Sequence, residues 1–217
     1  MSDERLRVDV TDEIRWDPKI DGRAIAVSVD DGIVTLRGTV GSYFEKREAK
    51  KAAERIWGVK WVDADHLDVR FIENFVQDDV DLRGSVLQAL MLDSLVPSTI
   101  DVKVKDGVVT LTGTAEWQFQ REEAETTAGK VTGVTEVDDH VDLLNPAPKA
   151  DDVEHSIEKA FKRSAKVDAK GISVTTDYGT VKLAGTVTSW AEHDDALAAA
   201  WAAPGVTKVE DLLQVDY

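Results

Sequence analysis

Ile25-Ala-Val-Ser-Val-Asp-Asp-Gly-Ile-Val-Thr-Leu-Arg-Gly-Thr-Val40 is the stretch on which the fold turns. Ile25, Val27 and Val29 alternate with Ala26, Ser28 and Asp30, and the alternation resumes after Asp31-Gly32 with Val34 and Leu36. Period-two patterning on both sides of Asp-Gly predicts a β-hairpin with a tight turn, because Gly accepts the positive φ that such a turn demands.

The same stretch occurs twice more. Ile100-Asp-Val-Lys-Val-Lys-Asp-Gly-Val-Val-Thr-Leu-Thr-Gly-Thr-Ala115 and Ile172-Ser-Val-Thr-Thr-Asp-Tyr-Gly-Thr-Val-Lys-Leu-Ala-Gly-Thr-Val187 align with it without a gap. The turn glycines Gly32, Gly107 and Gly179 are offset by 75 and then 72 residues. Gly38, Gly113 and Gly185 keep those offsets, and so do Gly58, Gly133 and Gly205, each followed by Val. From turn glycine to Gly-Val is 26 residues in every copy, so the chain is an array of one unit.

Outward from the hairpin each unit continues alike. A helix is predicted over 43–56, 118–131 and 190–203, with Ser42 and Ser189 as N-cap residues in the first and third copies. Ala49, Ala52 and Ala53 suit close packing on a sheet, and Gly58, Gly133 and Gly205 fall at the helix C-cap. A last strand follows over 62–69, 137–143 and 209–215. Upstream of each hairpin an amphipathic helix is expected, plainest in Val153, Ile157, Ala160 and Phe161. The fold class is therefore α+β: three tandem α-β-β-α-β domains, each a small three-stranded mixed sheet with two helices on one face. Their expected bounds are 1–72, 77–145 and 150–217. Phe71–Asp78 is apolar enough to pack against a domain, whereas Asn145–Ala150 is a Pro-rich spacer.

Asp-Gly-x-Val-Thr-Leu-x-Gly-Thr-Val at 31–40, Ser-Tyr-x-Glu-Lys-x-x-Ala at 42–49 and Gly-Val-x-x-Val at 58–62 resemble the BON domain (bacterial OsmY and nodulation). The other copies carry the pattern at 106–115 with 133–137, and at 178–187 with 205–209. The resemblance is to tandem, osmotically inducible OsmY-like proteins. It implies an α-β-β-α-β fold without catalysis, an association with osmotic and envelope stress, and contact with phospholipid or envelope proteins. Some cytoplasmic relatives are linked to potassium sensing, and that is the alternative function the resemblance implies.

Composition narrows the partners. The 217 residues carry a formal charge of −16, so nucleic acid is not an expected partner. Cysteine is absent, which removes disulfides, thiolate nucleophiles and Cys-ligated metal sites. No run approaches the ~20 apolar residues of a membrane span. Met-Ser-Asp-Glu-Arg opens no signal sequence, so a cytoplasmic location is expected, or a periplasmic one if a signal was removed.

Chemistry finds little purchase. There is no His-Glu-x-x-His, no Gly-x-Ser-x-Gly and no phosphate loop, so neither an enzyme nor a cofactor is expected. His66 aligns with Val141 and Leu213, and His140 with Asp65 and Leu212. The two imidazoles are expected on opposite sheet faces in structural roles, and no metal site is assigned to them. Asp30-Asp31, Asp63 with Asp65, Asp138-Asp139 and Glu210-Asp211 offer oxygens to a hard cation, or simply solvate the surface.

The informative positions are those at which the copies differ. Trp57 and Trp61 flank Gly58, where the second copy has Thr132 and Glu136 and the third has Pro204 and Lys208. Positions that accept such residues lie near the domain surface. The preceding helix carries Lys46, Arg47, Lys50, Lys51 and Arg55, and with Lys60 the stretch 46–60 reaches a net +4. By segment the charge is −3 over 1–76, −8 over 77–150 and −5 over 151–217. Lys46, Arg47, Lys50, Lys51, Arg55, Trp57, Lys60 and Trp61 are thus the candidate surface. Its occupant is anionic phospholipid, an envelope or stress protein, or an acidic neighbouring copy. Trp117, Trp190 and Trp201 occupy non-equivalent positions and are expected at contacts between domains.

Overall fold

A computed structural model of the chain describes residues 2–71, 77–144, 150–164, 167–168 and 171–217. The first copy forms α1 (Asp3–Trp16), β1 (Ile25–Asp30), β2 (Ile33–Val40), α2 (Tyr43–Glu54) and β3 (Trp61–Val69). The second forms α3 (Asp79–Leu92), β4 (Asp101–Lys105), β5 (Val108–Ala115), α4 (Gln118–Gly129) and β6 (Glu136–Leu143). The third forms α5 (Ala150–Arg163), β7 (Ile172–Asp177), β8 (Thr180–Val187), α6 (Trp190–Trp201) and β9 (Lys208–Val215). Each copy is α-β-β-α-β, as its pattern predicts. The packing expected of Phe71–Asp78 and the spacer role of Asn145–Ala150 rest largely on residues outside those described. The chain divides into two compact units, one of Met1–Thr114 with Phe119–Val141, the other of Ala115–Gln118 with Asp142–Tyr217.

The sheets have strand orders β1-β2-β3, β4-β5-β6 and β7-β8-β9. The hairpin strands pair antiparallel, and in the first and third sheets the last strand joins the middle one in parallel. The first helix of each copy buries residues at i, i+4 and i+8: Leu6, Val10 and Ile14, then Leu82, Val86 and Leu90, then Val153, Ile157 and Phe161. These meet Val34, Leu36, Val62 and Leu67 in the first core, and Val181 and Leu183 in the third. Each fully buried aliphatic side chain contributes about 1.5–3 kcal/mol. The second helix comes close to the sheet on small residues, Ala49 and Ala53 in α2, Ala124 and Ala128 in α4, Ala196 and Ala200 in α6.

Backbone contacts explain the fixed spacing. Asp31, Asp106 and Tyr178 have φ of 46°, 53° and 42°, and the glycine after each is also positive, as a two-residue type I′ hairpin turn requires. A Cβ on Gly32 would lie 3.0 Å from the Gly58 carbonyl oxygen, and the Lys60 amide donates to the Gly32 carbonyl at 2.9 Å. The same bond runs from Thr135 to Gly107 at 3.0 Å and from Thr207 to Gly179 at 2.8 Å. The two landmark glycines of each copy therefore touch, and the 26 residues between them must bring the chain back to one point. The third landmark is tighter still: a Cβ on Gly38 would lie 1.9 Å from the Ala24 carbonyl oxygen, at φ 129°.

Two local expectations are corrected. The second helices end at Glu54, Gly129 and Trp201, earlier than predicted, so Gly58 is not a helix C-cap. It sits third in a β-turn closed by the Val59 amide on the Ile56 carbonyl, 3.2 Å, with φ 96° as a type II turn needs. Trp57 is second in that turn, where Pro204 stands in the third copy; proline fits that position, and the site is exposed in all three copies. The histidine alignment also shifts. The β2–β3 register jumps between Thr35 and Arg37, so β3 carries one extra residue. Arg70 and Leu144 donate to the equivalent carbonyls of Val40 and Ala115, which places His66 level with His140. Both imidazoles are exposed, each directly before a buried residue, Leu67 or Val141, on the same side of their sheets rather than on opposite faces.

Replacing Gly38 with Ala forces a side chain into a carbonyl at a left-handed φ. A loss of about 3 kcal/mol or more is expected, beyond ordinary backbone strain of ~1–3 kcal/mol. Gly84, in the exposed interior of α3, meets nothing within 4 Å, so Gly84→Ala should instead stabilise by about 1 kcal/mol. Domain-resolved hydrogen exchange on the full chain checks both signs.

Candidate functional site

The candidate residues do not act as one face. Arg55 turns back to α1, with Nε 3.0 Å from Glu13 and Nη2 2.8 Å from Asp17. Lys60 reaches the hairpin turn at Asp31, 3.1 Å. Arg47 lies 3.2 Å from Glu125 on α4, so the basic helix of the first copy does meet an acidic residue of the second. The Tyr43 hydroxyl donates to the same carboxylate at 3.3 Å. Burial, with the Glu125 charge adding to it, pushes the Tyr43 phenol up to about 12. Gly129 permits this approach, since a Cβ there would stand 2.8 Å from the Tyr43 ring, and Lys130 lies over Phe44 at 5.6 Å.

What remains is a smaller surface. Trp57 is 60% exposed and Trp61 55%. The Lys50 ammonium stands 5.7 Å from the Trp61 ring centroid and 3.8 Å from Glu54. Lys46 and Lys51 make no ion pair among the described residues, and Lys51 is exposed. Beside them a groove of about 600 Å³ runs between α2 and the outer strand β3, lined by Tyr43, Lys46 and Lys50 on one wall and Trp61, Asp63 and Asp65 on the other.

The other copies close this place. Lys46, Arg121 and His193 are equivalent on the second helix, at offsets of 75 and 72. Arg121 Nε lies 2.8 Å from Asp139 on β6, and His193 Nε2 lies 2.8 Å from Asp211 on β9. The Arg47 and Arg121 contacts are ion pairs by distance without well-directed hydrogen bonds from the atoms concerned. Residue-type scanning misses this latch because its helix residue changes type in every copy, Lys46, Arg121 and His193. Superposing the offsets on the acidic strand pairs would have found it.

Smaller features are structural. Ser42 and Ser189 cap their helices as expected, accepting from Glu45 and Glu192 at 3.1 Å. Those glutamates are buried and reach back: Glu192 accepts from Asp168 at 2.6 Å and Thr188 at 2.7 Å, and Glu45 from Asp21 and Gly41. This is a variant of the capping box in which the reciprocal bond comes from the residue before the cap, extended to the loop before the hairpin. Asp63, Asp139 and Asp211 each accept from the amide two residues on. Among the described residues no group of three or more His, Asp or Glu is disposed to hold a metal ion. None of the described helices is long and apolar enough to cross a membrane. Trp201 packs on the core of its own domain, and Trp190 lies edge-on to His193 at 4.8 Å.

The fold and its threefold repetition agree with what comparison finds. The BON domain model matches residues 2–70, 78–145 and 149–217. The chain belongs to the BON domain family, with three copies in tandem. It is 36% identical to osmotically-inducible protein Y of Escherichia coli (strain K12) over 119 residues, 52% of this chain and 58% of that protein. Among solved structures it is similar to CdsD, a structural protein of the type III secretion system of Chlamydia trachomatis, at 15% identity over 98% of this chain and 92% of the other. The C-terminal domain of CdsD matches at 14%. Both TM-scores are 0.28.

The latch in the third domain titrates. Burial of the His193 ring favours its neutral form. Its hydrogen bonds with Asp194 and Asp211, and their charges, outweigh that and raise the pKa above 6.5. A raised folded-state pKa adds stability that is full below about 6.5 and is lost as pH climbs through the folded value. Urea titrations followed by the amide resonances of β9 should show the third domain weakening from pH 6 towards 8. In His193→Arg, which installs the permanent cation of the second copy, that slope should vanish.

Proposed function

We propose that the protein is a non-enzymatic binding module of the osmotic or envelope stress response, which touches anionic phospholipid reversibly through the first domain. The observation that carries this reading is the exposure of Trp57 and Trp61, 60% and 55%, beside Lys46, Lys50 and Lys51. Tryptophan at the end of a basic helix is the chemistry of a peripheral membrane contact. The similarity to osmotically-inducible protein Y supports the stress association.

The structure limits the strength of that contact. Arg47, Arg55 and Lys60 are engaged by Glu125, by Glu13 with Asp17, and by Asp31. Among the described residues Lys46 and Lys51 remain outside ion pairs and Lys50 is held at 3.8 Å by Glu54, so at about 1 kcal/mol per free lysine near an anionic surface they give roughly 2 kcal/mol. The formal charge of −16 subtracts from this, so binding is weak and falls steeply with salt.

Co-sedimentation of the full chain with phosphatidylglycerol-containing vesicles should show binding at low salt and about tenfold less at high salt. Vesicles of phosphatidylcholine alone should bind little. Lys50→Glu with Lys51→Glu should abolish binding, and Trp57→Ala with Trp61→Ala should weaken it at least fivefold. Unchanged binding by the double charge reversal would remove this surface from consideration.

A further inference from the structure

The three copies treat one position differently. In the second and third, a cation on the second helix meets a carboxylate on the outer strand, Arg121 with Asp139 and His193 with Asp211, each at 2.8 Å. In the first, Lys46 on α2 and the carboxylates of Asp63 and Asp65 on β3 face the same groove without forming an ion pair among the described residues. Lysine is shorter in reach than the guanidinium fork and offers a point charge. One extra residue in β3 also displaces the strand carboxylates relative to the other copies.

The result is a groove of about 600 Å³ with opposite charges on opposite walls. That volume is in the range of small-molecule sites. Lys46 and Lys50 line the helix wall, and Asp63 and Asp65 the strand wall. Arg47 and Glu125 also line it and are paired with each other. The Trp61 ring lies on the strand wall, and its face already receives a cation from Lys50. A simple anion would meet the strand carboxylates, and a simple cation the helix lysines. A molecule carrying both charges satisfies both walls.

We propose that this groove binds a small zwitterion, an ammonium and an anionic group joined by a short linker. Its anionic end is held by Lys46 and Lys50 and its ammonium by Asp63 and Asp65, beside the Trp61 ring. Arg121 and His193 occupy the corresponding place in the other domains, so among the described residues this place is open in the first domain and latched in the other two. The two readings share Trp61, Lys46 and Lys50 but are separable, because Asp63 and Asp65 serve the groove alone while Trp57, Lys51 and vesicle binding report the membrane contact.

Glycine betaine serves as the probe, with choline and acetate as its separate halves. Heteronuclear NMR titration of the full chain should show saturable shifts at the amides of Asp63 and Asp65 and at the Trp61 indole. The surroundings of Arg121 and His193 should stay still. Betaine should bind at least fivefold more tightly than choline or acetate. Asp65→Asn with Asp63→Asn keeps the side-chain acceptor for the strand amide and should weaken binding at least fivefold. Lys46→Arg, which rebuilds the latch of the second domain, should weaken it equally while leaving the spectrum folded. The proposal is overturned if betaine does not bind, if choline or acetate binds as well, or if Lys46→Arg binds betaine like the parent protein.

Discussion

Two glycine peptides in contact hold each domain together in the sense that matters for function. Gly32 sits in the hairpin turn and Gly58 in the turn after α2; a Cβ on Gly32 would stand 3.0 Å from the Gly58 carbonyl oxygen, and Gly58 itself holds φ 96°. The Gly32 carbonyl then accepts from Lys60, which starts the third strand alongside the second. Everything between the two glycines is a loop of fixed length, and the repeat of 26 residues is the trace of that closure. Because the closure places the turn at the sheet's corner, residues 57 and 61 lie at the domain surface whatever their type.

That separation of fixed backbone from variable corner lets one fold carry three different edges. Trp57 and Trp61 in the first domain are replaced by Thr132 and Glu136 in the second and by Pro204 and Lys208 in the third, without disturbing the Gly-Val bond pattern. The same holds across the second helix and last strand, where Lys46, Arg121 and His193 give an open groove, a permanent latch and a titrating latch. Both latches are partly buried, with His193 at 9% side-chain exposure and Arg121 and Asp139 at 28% and 18%, so each also decides whether the groove beside it is accessible.

The fold was legible because its determinants are local and repeated. Alternation about Asp-Gly, helix faces such as Leu6-Val10-Ile14 and glycines at fixed offsets all act within one copy. The candidate site was legible only in part. Exposure of Trp57 and Trp61 could be read from the substitutions at their positions. The capture of Arg55 by α1 and of Arg47 by Glu125 could not, because it depends on how helices pack. The bulge in β3 was also hidden: an added residue in a strand leaves the hydrophobic pattern almost intact, yet it moves His66 level with His140 and reverses the inference drawn from sequence alignment.

The central claim is that the first domain presents its Trp-bearing edge outward while the third keeps its tryptophans on its own core and helix. Six tryptophans make this directly observable in a chain labelled with 5-fluorotryptophan. Fluorine NMR with small anionic bicelles carrying a spin-labelled headgroup should broaden the Trp57 and Trp61 lines and spare Trp190 and Trp201. Broadening of Trp190 and Trp201 with Trp57 and Trp61 unaffected would contradict it.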